Sequence, residues 1–187
     1  SVKFFYNDTN GIAYKNGTYV KLYYPGVVAV STDFKTWENV DLGGTRDYAD
    51  LFVIGDNFVV VSGGKSFVSQ DGKNYTAYDN SLTGFSSYTA QTSKGIVVFY
   101  TDNTTGGNYF SADGIHFTKS NGAPDGDRLY SCNGKFVIES ENYEKGIYVS
   151  DDGLNFKKVL SDGVSLSFYD GKYHAVKTEA DGSLTIY

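Results

Sequence analysis

Ser150-Asp-Asp-Gly-Leu-Asn-Phe156 is the last of four copies of one short pattern in this chain. The other copies are Ser31–Trp37, Ser69–Tyr75 and Ser111–Phe117, and the serines that begin successive copies are 38, 42 and 39 residues apart. We call the copies boxes 1 to 4; their shared pattern is Ser-x-Asp-Gly-x-x-aromatic. A period near 40 residues is typical of an array in which each repeat is one supersecondary unit. The chain is therefore expected to be such an array.

The residue types of the boxes suit a tight turn between two strands. A short carboxylate can accept hydrogen bonds from nearby main-chain N–H groups, glycine permits positive φ, and the aromatic residue has strand spacing into a core. A calcium loop is the alternative, but each box has one or two carboxylates and no later Glu ligand. We therefore predict no metal site and a structural role for Ser31, Asp33, Trp37, Ser69, Asp71, Gly72, Tyr75, Ser111, Asp113, Gly114, Phe117, Ser150, Asp152, Gly153 and Phe156.

A second repeated signal lies between the boxes. It is a two-residue turn flanked by alternating apolar residues, and Asn-Gly or Asp-Gly in that setting is a strong hairpin signal. The turns are predicted at Asn16-Gly17, Asp56-Asn57, Lys94-Gly95, Asn133-Gly134 and Asp170-Gly171. Five hairpins therefore accompany four boxes.

Each repeat then divides into four short strands, with the hairpin joining the first two and the box joining the last two. Four-stranded antiparallel units repeated radially form a β-propeller, which leaves only short protected edges. We predict an all-β, five-bladed propeller with blades at about 11–42, 48–80, 87–120, 127–161 and 164–187 plus 2–8. The last blade lacks a box, and Val2–Asp8 aligns with Phe156–Asp162, so the amino-terminal strand is expected to complete it. A four-bladed alternative leaves one hairpin unit unpaired.

Composition limits the function further. The chain has 187 residues, which suits one domain, and contains 17 Tyr and 13 Phe but only 2 Pro. Its net charge of −6 has the wrong sign for a nucleic-acid surface, and no apolar run approaches the ~20 residues of a membrane helix. Cys132 is the single cysteine, so an internal disulfide and a CxxC zinc cluster are excluded. A monomeric domain without a cofactor is expected.

The boxes resemble the Asp box, also called the BNR repeat, and the repeat unit is similar to the small bacterial propellers built from it. The resemblance covers four of five units, and box 1 departs from it with Phe34 where Gly is usual. It implies a folding role for the boxes and a ligand site on the opposite face, at the blade-to-blade links and second-to-third-strand loops. The best-known enzymes with this box, sialidases, hold their substrate with three arginines, whereas this chain has only Arg46 and Arg128. Sialidase activity is therefore not expected.

Candidate ligand-binding residues lie in or beside the varied segments of that opposite face. Alignment by the hairpin turns places Asn10, Asp50, Tyr88, Asp127 and Val164 in one ring near the channel mouth. Tyr rings beside Asp and Arg suit sugar binding, because ring faces stack on C–H surfaces, and the same mixture suits a protein interface. The alternatives for the carboxylates are a solvated rim and a pair of catalytic acids. The candidate residues are Arg46, Tyr48, Asp50, Tyr88, Asp127, Arg128 and Tyr143.

The functional prediction is a non-catalytic binding module. Carbohydrate is the first-choice ligand, a protein partner is the second, and a small five-bladed glycoside hydrolase is the third. No catalytic residue is assigned. By the same resemblance, the module is expected to belong to a larger secreted or surface-anchored bacterial protein.

Overall fold

The chain folds into β-sheets throughout the part that can be described. The structure is a computed structural model, and it describes residues 9–23, 26–43, 49–101, 106–124, 128–141, 144–161, 164–169, 172–179, 181 and 183–186. All regular secondary structure within these residues is β-strand, and the strands form five antiparallel sheets. The prediction of an all-β chain is confirmed.

The sheets use the strands in chain order. Sheet 1 contains β1 (Thr9–Lys15), β2 (Thr18–Tyr23), β3 (Val27–Ser31) and β4 (Glu38–Asp41). Sheet 2 contains β5 (Ala49–Ile54), β6 (Asn57–Ser62), β7 (Lys65–Ser69) and β8 (Thr76–Asp79). Sheet 3 contains β9 (Phe85–Thr92), β10 (Gly95–Thr101), β11 (Gly106–Ser111) and β12 (Thr118–Lys119). Sheet 4 contains β13 (Arg128–Cys132), β14 (Lys135–Ser140), β15 (Gly146–Ser150) and β16 (Lys157–Ser161). Sheet 5 contains β17 (Val164–Tyr169), β18 (Lys172–Thr178) and β19 (Leu184–Ile186).

Neighbouring strands in each sheet are consecutive in the chain, which is the order of strands in a propeller blade. In the described residues, sheets 1 to 4 have four strands each and sheet 5 has three. The strand predicted to complete the last blade, Val2–Asp8, lies outside the described residues. That completion and the number of blades stay predictions.

The hairpins between first and second strands differ in detail from the predicted turns. Asn16-Gly17 and Asn133-Gly134 do occupy turns, because Lys15 pairs with Thr18 and Cys132 pairs with Lys135. In sheet 2 the turn is one residue earlier than predicted, at Gly55-Asp56, since Ile54 pairs with Asn57.

In sheet 3 the turn is likewise one residue earlier, at Ser93-Lys94, and Gly95 begins β10. The predicted turn at Asp170-Gly171 lies outside the described residues, between the paired Tyr169 and Lys172. The predicted positions of Asn57 and Gly95 within turns were therefore wrong by one residue. Gly55, at φ +55°, supplies the positive φ that a two-residue hairpin turn requires.

The chain divides into two compact units, each with its own core. The first holds sheets 1 and 2 together with box 3, and the second holds most of sheet 3 with sheets 4 and 5. Val20, Phe58 and Val60 are fully buried in the first core. Phe136 and Ile138 are fully buried in the second. These positions come mainly from second strands, which are therefore the most deeply buried of each sheet.

Each glycine-containing box packs on the sheet that precedes it. A Cβ built on Gly72 would lie 2.6 Å from Cγ2 of Val20 in sheet 1, and one on Gly114 would lie 2.7 Å from Cγ1 of Val59 in sheet 2. Gly153 packs in the same way on Phe110 of sheet 3. All three glycines have φ between +76° and +77°. Glycine is thus required both by backbone conformation and by close approach.

Candidate functional site

The four box carboxylates form hydrogen bonds within their own turns. In box 4, Asp152 Oδ1 accepts from the main-chain N–H groups of Leu154 and Asn155, both at 2.8 Å, and from the Ser150 hydroxyl at 2.9 Å. Asp152 Oδ2 accepts from Asn155 Nδ2 at 2.8 Å. The Ser150 hydroxyl in turn accepts from Gly153 N at 2.9 Å. Asp33, Asp71 and Asp113 have equivalent bonds, so these carboxylates are occupied by turn formation.

The same hydrogen bonds stabilise the ionised form of each box carboxylate. Main-chain N–H groups of Thr36 and Lys35 lower the pKa of Asp33 to about 2. Burial acts to raise the pKa of Asp113, but hydrogen bonds from His116 and Ile115 outweigh it and lower the pKa to about 2. The pKa values of Asp71 and Asp152 are lowered as well, chiefly by Asn74 and Asn155 respectively. Groups so strongly held as anions are unsuited to proton transfer near neutral pH.

Three of the seven candidate ligand-binding residues lie within the described residues, namely Asp50, Tyr88 and Arg128. The other four, Arg46, Tyr48, Asp127 and Tyr143, lie outside them. The first strands of the five sheets can be aligned at their last residues. In that alignment Gly11, Asp50, Tyr88, Arg128 and Ser165 occupy the same position, near the start of the strand. By the same count the predicted ring had Asn10, Asp127 and Val164 in the places of Gly11, Arg128 and Ser165. This misalignment of one residue follows from the misplaced turns of sheets 2 and 3.

Asp50 is a partly buried carboxylate at the start of β5. It lies opposite Val61 of β6, and the Ser86 hydroxyl is its hydrogen-bond partner. Burial raises the pKa of Asp50, and the bond with Ser86 only partly opposes this. Asp50 therefore differs from the box carboxylates, because its environment favours the neutral acid.

Tyr88 is exposed. Its relative exposure of 42% leaves part of the ring open to solvent in the second unit. Phe85, at the start of the same strand, has an exposure of 40%. Both rings could contact a ligand, as the sequence suggested for aromatic residues near these links.

Arg128 belongs to a hydrogen-bonded network on one face of sheet 4, which we call the Arg128 network: Arg128, Tyr130, Glu139 and Glu141. Arg128 and Glu139 are cross-strand partners, and Tyr130 and Glu141 lie two residues away on the same face. Tyr130 donates to Glu139 Oε2 at 3.0 Å, and Glu139 Oε1 accepts from Leu166 N of sheet 5 at 3.2 Å. Arg128 is hydrogen-bonded to Tyr130 and lies 3.5 Å from Glu141 Oε1.

The residues of this network differ strongly in burial. Glu139 is only 1% exposed, whereas the side chains of Arg128 and Glu141 are 51% and 50% exposed. The hydrogen bond with Tyr130 and the charge of Glu141 raise the pKa of Arg128. Burial, followed by the bond with Glu139, raises the pKa of Tyr130. A buried carboxylate is thereby connected through a phenol to a solvent-exposed guanidinium.

Glu139 was not among the residues predicted from the sequence. At its strand position, the other second strands have Leu22, Val61, Phe99 and Val176. A carboxylate that replaces an apolar residue in one repeat of five is a signal that alignment of the second strands could have revealed. Buried carboxylates need partners, which here are Tyr130 and Leu166 N.

Two further observations concern other classes of site. Among the described residues, no three His, Cys, Asp or Glu side chains are grouped so that they could hold a metal ion. The described part of the chain also contains no helix of the length and apolarity that a membrane crossing requires.

Comparisons with known proteins give the fold. No protein-family model matches the sequence, and no curated protein matches it. Among solved structures, YCF48 bound to D1 peptide is similar with a TM-score of 0.63 at 13% identity, over 90% of this chain and 60% of that chain. The computationally designed Ika8 protein is similar with a TM-score of 0.57 at 16% identity, over 96% of this chain and 57% of that chain. Apo AztD from Citrobacter koseri is similar with a TM-score of 0.54 at 11% identity, over 95% of this chain and 55% of that chain.

This chain therefore spans less than two thirds of each of these three proteins. At such low identities the likeness concerns architecture alone. YCF48, the designed proteins and AztD have β-propeller-like folds. Together with the five sheets of consecutive antiparallel strands, these comparisons show that the chain has a β-propeller-like fold.

Proposed function

We propose that this chain is a non-catalytic binding module that recognises a peptide segment of a protein partner, and that the Arg128 network contacts that segment. The module is proposed to be a five-bladed propeller of the Asp-box type. The observation that carries the proposal is the half-exposed pair of Arg128 and Glu141 anchored to the buried Glu139.

The geometry of the pair leaves both charges able to bind a partner. A separation of 3.5 Å exceeds the 2.7–2.9 Å that is typical of a strong charge-assisted hydrogen bond. Both side chains are half-exposed, and the five N–H donors of a guanidinium allow Arg128 to bond to a partner in addition to its contacts with Tyr130 and Glu141. Tyr130 and Glu139 hold the inner part of the network in place, so less side-chain entropy is lost on binding.

Adjacent charges of opposite sign suit a peptide, which carries both signs among its side chains and termini. A neutral glycan would have to desolvate both charges without neutralising either. YCF48, which is similar in fold, was solved with a bound peptide, and that supports a peptide ligand here.

A displayed library of peptides of about 12 residues, screened on the intact chain, tests the proposal. We expect charged sequences to be enriched, and Arg128→Gln to weaken their binding by about tenfold or more, the loss of one good interaction. Lys65→Gln is the matched control, because Lys65 forms an exposed ion pair with Asp79 at 2.5 Å outside the network. A library without binders tighter than about 1 mM, or equal affinities of Arg128→Gln and Lys65→Gln, would contradict the proposal.

Carbohydrate binding is the second candidate, and the exposed ring of Tyr88 favours it. A glycan array probed with the intact chain should then show binders, and Tyr88→Ala should weaken them without changing the melting temperature. An enzyme would instead release product from aryl glycosides and lose that activity in Asp50→Asn. Either result, in the absence of peptide binding, would replace the proposal.

The proposal also covers the oligomeric state of the module and its location in the cell. We propose that it acts as a monomeric domain of a larger secreted or surface-anchored bacterial protein. Sedimentation should give a mass near 20.5 kDa for the isolated chain. Antibodies against the chain should label intact cells of the source bacterium; labelling of permeabilised cells alone would contradict a surface location.

A further inference from the structure

Sheet 2 and its box carry an open polar pocket that the Arg128 network does not involve. It has a volume of about 450 Å³ and lies on the outer strands β7 and β8 and the turn of box 2. Small-molecule pockets commonly have volumes of this order. The lining side chains that matter for its chemistry are Asn57, Gln70, Asp71, Asn74, Thr76 and Tyr78.

Strand register explains how the outer wall of this pocket forms. Val68 pairs with Thr76, and Ser66 pairs with Tyr78. Thr76 and Tyr78 are two residues apart, so they lie on the same face of the edge strand. The Tyr78 ring, with an exposure of 42%, is the aromatic surface of the pocket.

The pocket offers neutral hydrogen-bonding groups instead of free charges. Among the described residues that line it, none is Lys, Arg or His. Asp71 is its one carboxylate, and Oδ1 already accepts from Ser69, Lys73 N and Asn74 N at 2.8–2.9 Å. Asn74 Nδ2 donates to the other oxygen at 2.7 Å. Amide and hydroxyl groups therefore dominate the surface that a ligand would meet.

The equivalent position of sheet 4 is filled by an ion pair. Phe58 pairs with Ser69 and Phe136 with Ser150, so continuing each register by one residue places Asn57 opposite Gln70 and Lys135 opposite Asp151. Lys135 and Asp151 are 2.9 Å apart. In sheet 2 the same two places hold amides, and the structure records no hydrogen bond between those side chains and any described residue. Sheet 2 thus leaves open, with unused donors and acceptors, a position that sheet 4 closes.

We propose that this pocket binds an uncharged saccharide. Sugar hydroxyls both donate and accept, as do the amides of Asn57 and Gln70. A pyranose can lay its C–H face on the exposed Tyr78 ring. An anionic ligand is disfavoured, because no Lys, Arg or His lines the pocket to compensate its desolvation and Asp71 is itself negative. A cationic ligand is disfavoured, because both oxygens of Asp71 already accept hydrogen bonds from the box 2 turn. This site is separate from the peptide site proposed above and requires a different ligand.

NMR titration of the intact, ¹⁵N-labelled chain with methyl glycosides of glucose, galactose, mannose, N-acetylglucosamine and N-acetylgalactosamine tests the site. For at least one sugar, side-chain amide signals of Asn57, Gln70 and Asn74 should shift with a Kd in the millimolar range, which is about −4 kcal/mol. Glycerol is the control for unspecific polyol contact. Equal shifts with glycerol, shifts from peptides alone, or no shift with any glycoside at about 50 mM would overturn the proposal.

Two variants taken from the other sheets sharpen the test. Asn57→Lys with Gln70→Asp transplants the ion pair of sheet 4, and it should abolish the shifts while leaving the fold intact. Tyr78→Val copies Val40, which pairs with Val28 in sheet 1 as Tyr78 does with Ser66, and it should weaken binding about tenfold by removing the stacking surface. Lys135→Ala with Asp151→Ala removes the ion pair of sheet 4 without placing amides there; it is the control, and its Asn57 and Gln70 signals should shift with sugar as those of the native chain do. Unchanged binding in either test variant would refute the assignment.

Discussion

The main chain of Gly153 packs directly on the ring of Phe110, where a Cβ built on Gly153 would lie 3.0 Å from both Cγ and Cε2 of the ring. We predict that Gly153→Ala lowers the free energy of unfolding by about 2–4 kcal/mol, from the left-handed backbone and the steric overlap together. Gly134→Ala is the control, since its φ of +74° is similar but no atom lies within 4 Å of its Cβ. That variant should lose only about 1 kcal/mol. Equal losses in urea denaturation would contradict the packing argument.

Phe34 has the backbone conformation of the box glycines without being glycine. Its φ is +61°, and its ring, at 55% exposure, forms edge contacts with Tyr19 and Trp37 at centroid distances of 5.0 and 5.4 Å. Phe34→Ala removes the ring but keeps the strained Cβ, whereas Phe34→Gly removes both. We therefore expect the glycine variant to be more stable than the alanine variant by about 1 kcal/mol. The opposite order in thermal unfolding would show that φ at this position is not strained.

The buried carboxylate of Glu139 should depend on Tyr130 for stability. Tyr130→Phe removes a hydrogen bond to the buried carboxyl group of Glu139, with an expected loss of about 1–3 kcal/mol. Adding Glu139→Leu should recover part of that loss, because the buried carboxyl group is then gone and Leu22 occupies the same strand position in sheet 1. The recovery should be incomplete, because Leu166 N loses its acceptor. Tyr14→Phe, at a ring with 58% exposure, is the control and should change stability by less than about 0.5 kcal/mol. A double variant less stable than Tyr130→Phe would contradict this account.

Acid should weaken the box turns over a defined pH interval. The pKa values of Asp33 and Asp113 are about 2 in the folded chain, against about 3.9 for an unfolded aspartate. Because the folded values are lower, the stabilisation is complete above pH 4 and is lost as pH falls from about 4 to 2. Asp50 acts in the opposite direction, since its pKa is raised. Urea midpoints at pH 5, 4, 3 and 2 measure the loss, and Asp113→Asn should flatten the curve; an unchanged slope would exclude this carboxylate as a source.

Local interactions explain why the fold could be predicted from the sequence. Asp152 bonds to N–H groups only two and three residues further on, so seven residues contain nearly every partner of a box. The all-β prediction needed no long-range information for the same reason. The hairpins of sheets 2 and 3 were misplaced because Asp-Asn and Lys-Gly look like turns, while Gly55 and Ser93 begin the actual ones.

The candidate site depended on contacts that sequence spacing does not reveal. Leu166 N lies 27 residues beyond Glu139, and Tyr130 lies nine residues before it. The pocket of sheet 2 was missed for a different reason. Asn57 and Gln70 look like ordinary turn-side polar residues. Only the register shows that they take the positions held by Lys135 and Asp151 in sheet 4, with side chains that have no recorded hydrogen bond to any described residue.

Each glycine-containing box packs on the sheet that comes before it in the chain. Box 4 rests on sheet 3 through Gly153 and Phe110, and main-chain bonds from Asn121 N to Leu154 O and from Phe156 N to Asn121 O reinforce that contact. Boxes 2 to 4 thus each use the preceding sheet as their packing surface. During synthesis on the ribosome, boxes 2 to 4 would each emerge after the sheet on which they pack, so these turns can find their packing surface while translation continues.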